Sequence, residues 1–358
     1  MAHSPRLRES SPRAHAVANG AAGPLHRDDS SPSPLDTVRR LWMELDPGHG
    51  PPEQVEAWRD RPHAKSHLYR LSLGPRASVP SVFAKVGPSP AIEPERVVYE
   101  ELLPGWDASA PRYFGSRRSG DRMWLFVEDV GRRRIDAGDP HERRLASLWI
   151  ARLHVFAATR APFSPLPGAG AARYLSHLGA GRQGLLAGLR NPLITGRDRE
   201  MLLALLDRLE IVEAIWDRIE RACRAFPSTV VHGDFRPKNV LVRPQSTGLR
   251  LDPIDWELTG WGPPCADLAP SRGPDRDGWI DREVYRSAVK AVWPGLGRVE
   301  LEHGAELGML FRDLAAVDWQ ARELVRPHPD YLFRPLSHLR HHEKELTVAM
   351  ARLARWVS

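Results

Sequence analysis

The sequence predicts an α+β protein of two lobes. The first part holds five short strands and a helix, and the larger, mostly helical second part carries a few short strands. Three observations lead there. The 358 residues suffice to bury two cores. Short apolar runs with strand-like alternation dominate up to Val130, and from His141 the apolar period becomes helical. Within the helical half, VVHGDFRPKNVLVRP (Val230 to Pro244) reads as strand, polar loop and strand. The expected divisions are a tail at residues 1–34, a first lobe at 35–130 and a second at 131–358.

Residues 1–34 are rich in Ser, Pro, Ala, Gly and Arg and bury too little to offset chain entropy, so a disordered tail is expected. Their lack of an apolar stretch argues against a secretory signal, and Asp28-Asp29 against a transit peptide. Leu35 to Leu45 is a short helix by the spacing of Val38, Leu41, Trp42 and Leu45. Strands follow at Val55–Asp60 and Ser66–Leu73, joined by Arg61–Lys65, and a third at Ser81–Val86. Alternation in the third puts Val82, Ala84 and Val86 on one face and Phe83 and Lys85 on the other. A lone cation on so apolar a strand is costly unless an anion meets it. A helix spans Glu93 to Leu103 with Pro94 in its first turn, and at about 100° per residue Glu95 shares a face with Tyr99 and Leu102. Pro111–Ser116 and Met123–Val130 complete the five strands.

In the second half, a long helix runs from His141 to near Arg160, with His154 as a core histidine. Loops with Gly and Pro lead to one helix over Asp198–Ala225, and another spans Leu301–Val325. His338, His341 and His342 have metal-compatible helical spacing, but no carboxylate or cysteine cluster completes a site, so a solvated face is expected.

Composition narrows the function classes. The net charge of +6 comes from 46 Arg against 5 Lys, without the aromatic-basic interleaving of a nucleic-acid surface. Two cysteines, Cys223 and Cys265, make neither a disulfide framework nor a zinc site, which points to a reducing cytoplasm. The longest apolar run, Met201 to Leu206, is too short to span a membrane. Oligomeric state leaves no trace in the sequence.

The chemistry lies between Val230 and Glu257. Asp234 and Asn239 stand in the polar loop, and a further apolar run ends in Ile254-Asp255-Trp256-Glu257. A carboxylate, an amide and a second carboxylate at the mouths of adjacent strands suit phosphoryl transfer. One acid orients the attacking hydroxyl, and two oxygen donors hold magnesium against nucleotide phosphates. A loop whose Asp234 and Asn239 merely cap turns would need several coincidences. A metallohydrolase with His232 and Asp234 as ligands would need a further His/Asp cluster that the neighbourhood lacks.

HGDFRPKN followed by IDWE resembles the catalytic and metal-binding segments of the aminoglycoside phosphotransferase and choline kinase-like family. These are small-molecule kinases with a protein-kinase-like fold, which implies a small N-terminal lobe with an antiparallel five-stranded sheet plus helix and a larger, mostly helical C-terminal lobe with short catalytic strands. The resemblance implies that Asp234 orients the acceptor hydroxyl, that Asn239 and Asp255 hold Mg2+, and that Lys85 meets the phosphates of ATP or GTP while paired with a helix glutamate. Glu95 is that glutamate by its face, and ERVVYEELLP is similar to the family's helix there. WLFVEDVG resembles the hinge between lobes, where the backbone of Glu128 and Val130 would bind adenine. Arg236 occupies the place of a γ-phosphate-contacting lysine in protein kinases. His232 and Asp267 are expected to brace the loop backbone. The Arg61–Lys65 connection has no glycine, unlike the phosphate-covering loop of protein kinases.

Eleven residues separate Asp255 from Asp267, too few for a peptide-docking activation segment. A small hydroxylated substrate is therefore expected, as an aminoglycoside or other antibiotic, an amino alcohol or a sugar. From Ser271 onward 13 acidic residues nearly balance 14 basic ones, so an anionic pocket for a polycation would have to be local, with Glu257, Asp313 and Asp318 as candidates. The competing readings are a nucleotide-binding pseudokinase, against which the intact Lys85, Asp234, Asn239 and Asp255 argue, and a protein kinase.

Overall fold

The computed structural model describes residues 33–357 except 46–47, 49, 60–65, 76, 107–108, 161–164, 247 and 271–278. The expected tail, apart from its last two residues, and the Arg61–Lys65 connection lie outside the described residues.

Helix α1 (Pro34–Leu45) buries Val38, Leu41 and Trp42. Strands β1 (Gln54–Arg59), β2 (His67–Ser72), β3 (Ser81–Pro88), β4 (Tyr113–Ser119) and β5 (Arg122–Glu128) form one antiparallel sheet in the order β1-β2-β3-β5-β4. One face of β3, with Val82, Ala84 and Val86, packs into a core with Trp42, Leu71 and Phe126. The other face turns Phe83 and Lys85 toward a cleft.

Helix α2 (Ser89–Val97) begins before the expected Glu93, and Pro94 lies inside it. Pro94 is only the sixth residue, so its missing N–H forfeits a single early hydrogen bond. The helix then widens into a π turn over Val98–Leu102, which buries Val98, Tyr99 and Leu102.

The second half is helical: α3 (Pro140–Ala158), α4 (Ala171–Gly188), α5 (Gly196–Ala214) and α6 (Trp216–Arg224) precede the short strands. Asp139 caps α3 by accepting from the N–H of His141 at 2.8 Å. α4 replaces an expected loop. Its glycines disguise it because they serve close packing: a Cβ on Gly184 would lie 2.8 Å from Ala321 Cβ. The single helix expected over Asp198–Ala225 is two, broken at Ile215 (φ −105°, ψ 12°). Leu202, Leu205, Leu209, Val212, Trp216, Ile219 and Cys223 are all buried, so helical spacing runs through the break and hides it.

Strands β6 (Thr229–Val231) and β9 (Gly260–Gly262) pair, as do β7 (Val240–Gln245) and β8 (Gly248–Pro253). Helix α7 (Cys265–Leu268) follows, then α8 (Arg282–Val289), α9 (Arg298–Ala321) and α10 (Pro329–Leu353). The larger core includes Ile92, Tyr99, Met123 and Leu125 from the first half, so the sheet side and the helical side are packed as one body.

Candidate active site

Lys85 holds its ammonium between carboxylates from two elements. Nζ lies 2.7 Å from Glu95 Oε2 on α2 and 2.7 Å from Asp255 Oδ1 after β8, with Glu257 Oε2 at 4.0 Å. Burial pulls the Lys85 pKa down, but Glu95, Asp255 and Glu257 outweigh it, and the ammonium is held above the ordinary lysine value. Burial pushes Glu95 up against the pull of Lys85, with Asp255 and Glu257 adding to the rise. Asp255 also meets a burial penalty, but Lys85 holds its carboxyl below the usual range. One cation thus faces three carboxylates, a negative excess that suits a bound cation.

Asp255 has φ 67° and ψ 61°, the only positive φ among the described non-glycine residues. Neighbouring hydrogen bonds fix that turn. Ile254 donates its N–H to Asn239 O at 2.9 Å, and the Ile254 carbonyl faces His232 Nε2 at 3.1 Å. The N–H of Asp234 donates to His232 Nδ1 at 3.3 Å. That pair of contacts makes His232 a neutral imidazole with its proton on Nε2, and burial accordingly lowers its pKa.

Asp267, fully buried on α7, holds the loop from behind. It accepts from the N–H of His232 at 2.7 Å and of Gly233 at 2.9 Å, and His154 Nε2 lies 3.2 Å from it. Burial raises its pKa, and His154 and His232 lower it by more. Tyr285 stands 2.7 Å from His154 Nδ1, so three side chains in a row, Tyr285, His154 and Asp267, anchor the loop backbone. Gly233 makes the turn at φ +80°, where a Cβ would sit 2.4 Å from Leu258 O.

Asp234 is held at the loop's tip. Asn239 Nδ2 donates to its Oδ2 at 2.9 Å, and Lys238 Nζ lies 2.8 Å from the same oxygen. Arg236 Nε forms an ion pair with Oδ1 without a linear N–H···O alignment. Burial pushes the carboxyl up, but Arg236 and then Lys238 prevail and hold it at about 2. Since Asn239 spends its nitrogen on Asp234, its Oδ1 is left for another partner.

Lys85, Asn239, Asp255 and Glu257 line one cleft of about 650 Å³, with Phe83, Val127 and Leu241 among its apolar walls. Glu128 and Val130 line it too. The Glu128 carboxylate turns to Arg243 and to the N–H of Arg112 at 3.0 Å, and its own N–H donates to Arg112 O at 2.8 Å. Only its carbonyl remains for a base.

The structure does not gather Glu257, Asp313 and Asp318 into one anionic pocket. Glu257 belongs to the Lys85 cleft. Asp313 is buried on α9 against His342 Nδ1 at 2.8 Å. Asp318, also on α9, is fully buried between His177 Nδ1 at 2.8 Å and Arg322 at 2.6 Å. His342 is therefore not on the solvated face expected of it, whereas His338 and His341 are exposed. Sequence reasoning missed Lys238, which lies inside the recognised motif, and Trp256, which packs tilted against His232 with centroids 4.4 Å apart. Among the described residues no His, Cys, Asp or Glu trio is poised for a metal, and no helix is long and apolar enough to cross a membrane.

Solved structures share this architecture. A choline kinase from Cryptosporidium parvum Iowa II superposes with a TM-score of 0.59 at 13% identity, covering 90% of this chain and 99% of that one. A spectinomycin phosphotransferase in complex with ADP and spectinomycin gives 0.57 at 10% identity, covering 89% and 99%. A Plasmodium vivax ethanolamine kinase gives 0.51 at 12% identity, covering 81% of each chain. The fold is thus that of the protein-kinase-like small-molecule kinases. A curated relative, acyl-CoA dehydrogenase family member 10 of Mus musculus, is 36% identical over 73 residues, which are 18% of this chain and 7% of that protein. A family model described as "Phosphotransferase enzyme family" matches residues 83–301, from Phe83 beside Lys85 through Asp234 and Asp255 to the start of α9. With more than half its length matched by that model, the chain belongs to the phosphotransferase enzyme family.

Proposed function

We propose that the chain transfers the γ-phosphoryl group of ATP or GTP to a hydroxyl of a small molecule, an antibiotic, an amino alcohol or a sugar. One observation carries this reading: Lys85, clasped by Glu95 and Asp255, faces the same cleft as Asn239, which in turn clamps Asp234. Lys85 binds the nucleotide phosphates, and the Glu128 carbonyl and Val130 N–H bind the base. Asn239 Oδ1 and the Asp255 carboxylate are hard oxygen donors of the kind magnesium takes alongside phosphate oxygens. When bound, that ion neutralises charge on the β- and γ-phosphates.

Asp234, held ionised, accepts a hydrogen bond from the acceptor hydroxyl and aims it at the γ-phosphorus. The transition state is loose, so a low basicity costs little and position counts most. Arg236 and Lys238 neutralise Asp234 until substrate arrives and then face the transferring group. The acceptor is small because a short turn, β9 and α7 fill the span from Asp255 to Asp267. The two free, buried cysteines fit a reducing cytoplasm.

The test incubates the purified chain with Mg·ATP or Mg·GTP and a panel of aminoglycosides, amino alcohols and sugars, and follows nucleoside diphosphate and product mass. Asp234→Ala should keep nucleotide affinity and lose turnover by about 100-fold or more. Full turnover by that variant refutes the mechanism. Nucleotide binding without turnover on any acceptor refutes the enzyme and leaves a binding module.

A further inference from the structure

A second cavity, of about 760 Å³, shares a wall with the Lys85 cleft, because Tyr99 lines both. It lies where the π turn after α2, the approach to β4, the outer side of α3 and the β7–β8 hairpin meet. Its described lining carries two guanidinium groups, Arg152 and Arg250, and no carboxylate. Arg250 is engaged, donating to Asp252 Oδ1 at 3.0 Å and to the Ala110 carbonyl. Arg152 is exposed on α3 and forms no ion pair among the described residues. The rest of the wall is largely aromatic and aliphatic. Tyr99 and Tyr113 stack there, with centroids 5.5 Å apart and planes 12° from parallel, opposite Trp149 and Leu145.

Two of those rings also support the phosphoryl-transfer residues. Tyr99 sits one turn after Glu95 on the same helix, in the π segment. Trp149 stacks on Phe235, the neighbour of Asp234, with centroids 5.7 Å apart, and tilts against Trp256, the neighbour of Asp255, at 6.0 Å. A body wedged against Tyr99 and Trp149 therefore presses on both halves of the site. We infer that this cavity is a second ligand site for a compact aryl carboxylate, and that its occupancy changes nucleotide affinity in the Lys85 cleft. Tyr113 is half-buried and offers ring surface, Tyr99 and Trp149 are buried behind the cavity wall, and Arg152 offers a fork for a carboxylate. The binding half of the inference is independent of the proposed phosphotransfer; the coupling half rests on nucleotide binding in the cleft.

The experiment titrates the full chain calorimetrically with benzoate and phenylacetate and with their primary amides, with and without a non-hydrolysable ATP analogue and magnesium. A carboxylate should bind saturably, and its amide roughly ten- to a hundredfold more weakly, because a charge-assisted hydrogen bond is lost. Arg152→Met should erase that difference while leaving affinity for the analogue unchanged. The carboxylate should shift the analogue's affinity by the same factor as the analogue shifts the carboxylate's. No saturable binding at millimolar concentration, equal binding of acid and amide, or an Arg152→Met variant that still discriminates overturns the site. An unchanged analogue affinity at saturating carboxylate overturns the coupling. Failure of the analogue to bind without carboxylate counts against the nucleotide reading and leaves the carboxylate result standing.

Discussion

Replacing Lys85 by Met tests the electrostatics of the cleft most directly. The change keeps the stem of the side chain and deletes the ammonium. It leaves three carboxylates without their shared cation, but they are not equivalent. The side chains of Asp255 and Glu257 are 37% and 27% exposed and can be rehydrated, whereas that of Glu95 is 4% exposed and cannot. Breaking a buried pair by removing one partner costs about 3–5 kcal/mol, and nearly all of that falls on Glu95. The double variant Lys85→Met/Glu95→Gln removes the stranded charge and should regain most of the loss, to within about 1–2 kcal/mol of the parent, since a buried amide still needs partners. The Glu95 carboxyl is already raised above its ordinary 4.5 by burial, and without Lys85 it rises further. A raised carboxyl favours the fold below its unfolded pKa and loses that advantage as pH climbs through the folded value. The single variant should therefore lose stability from about pH 4.5 upward, and the double variant should not. Urea unfolding followed by tryptophan fluorescence at about pH 5 and pH 8 reads both effects. If the double variant is no more stable than Lys85→Met at the higher pH, the buried charge of Glu95 is not what Lys85 compensates.

Four further outcomes follow from the same geometry. Gly233→Ala should cost more than about 2 kcal/mol by urea midpoint, because it adds a contact with a backbone oxygen to an unfavourable φ. Arg236→Gln with Lys238→Gln should lose up to about 2 kcal/mol at neutral pH: the Asp234 carboxyl, held near 2 against an ordinary 3.8, supplies stability above the latter value that fades as pH falls toward the former. The gap to the parent should narrow in urea titrations run below about pH 4, and a constant gap contradicts the linkage. Asp267→Asn turns an acceptor of two backbone N–H groups partly into a donor, so kcat should fall roughly tenfold or more with nucleotide Kd nearly unchanged. Equal losses in both would mean that the whole cleft has moved. Asp255→Gly should be more stable than Asp255→Ala by about 1 kcal/mol, since both lose the carboxylate and only glycine relaxes the left-handed backbone; the reverse order in thermal melting would show that the turn carries no strain.

Much of this was legible in the chain because the informative residues break a pattern. Lys85 stands out as a cation in an apolar alternation, and Asp234, Asn239 and Asp255 as polar groups at the ends of strands. Helical geometry chose Glu95 among the glutamates of its helix once the family resemblance implied a partner for Lys85. For the acidic residues of α9 and for α4, the deciding contact lies far away in sequence. Asp313 and Asp318 read as open carboxylates because nothing local reveals His342 and His177, which cover them from other helices. α4 read as loop because its glycines look like breakers until α9 is laid against them. The start of α2 was masked by Pro90 and Pro94, which are tolerated in a first turn and just after it.

The arrangement also explains why Asp255 should be the residue that bears backbone strain. A relaxed residue there would continue the extended direction of β8 and carry its carboxylate past Lys85. The left-handed turn instead brings Oδ1 to within 2.7 Å of the ammonium while Ile254 stays tied to Asn239 and faces His232. The cost, about 1–2 kcal/mol for a non-glycine residue, is offset by hydrogen bonds on either side of the turn. One side chain, on a turn tied to the Asp234 loop through the backbone of Ile254, then reaches the strand that carries the cation. A displacement of either element would break the Lys85–Asp255 contact, so the one described non-glycine residue with a positive φ also reports whether the site is assembled.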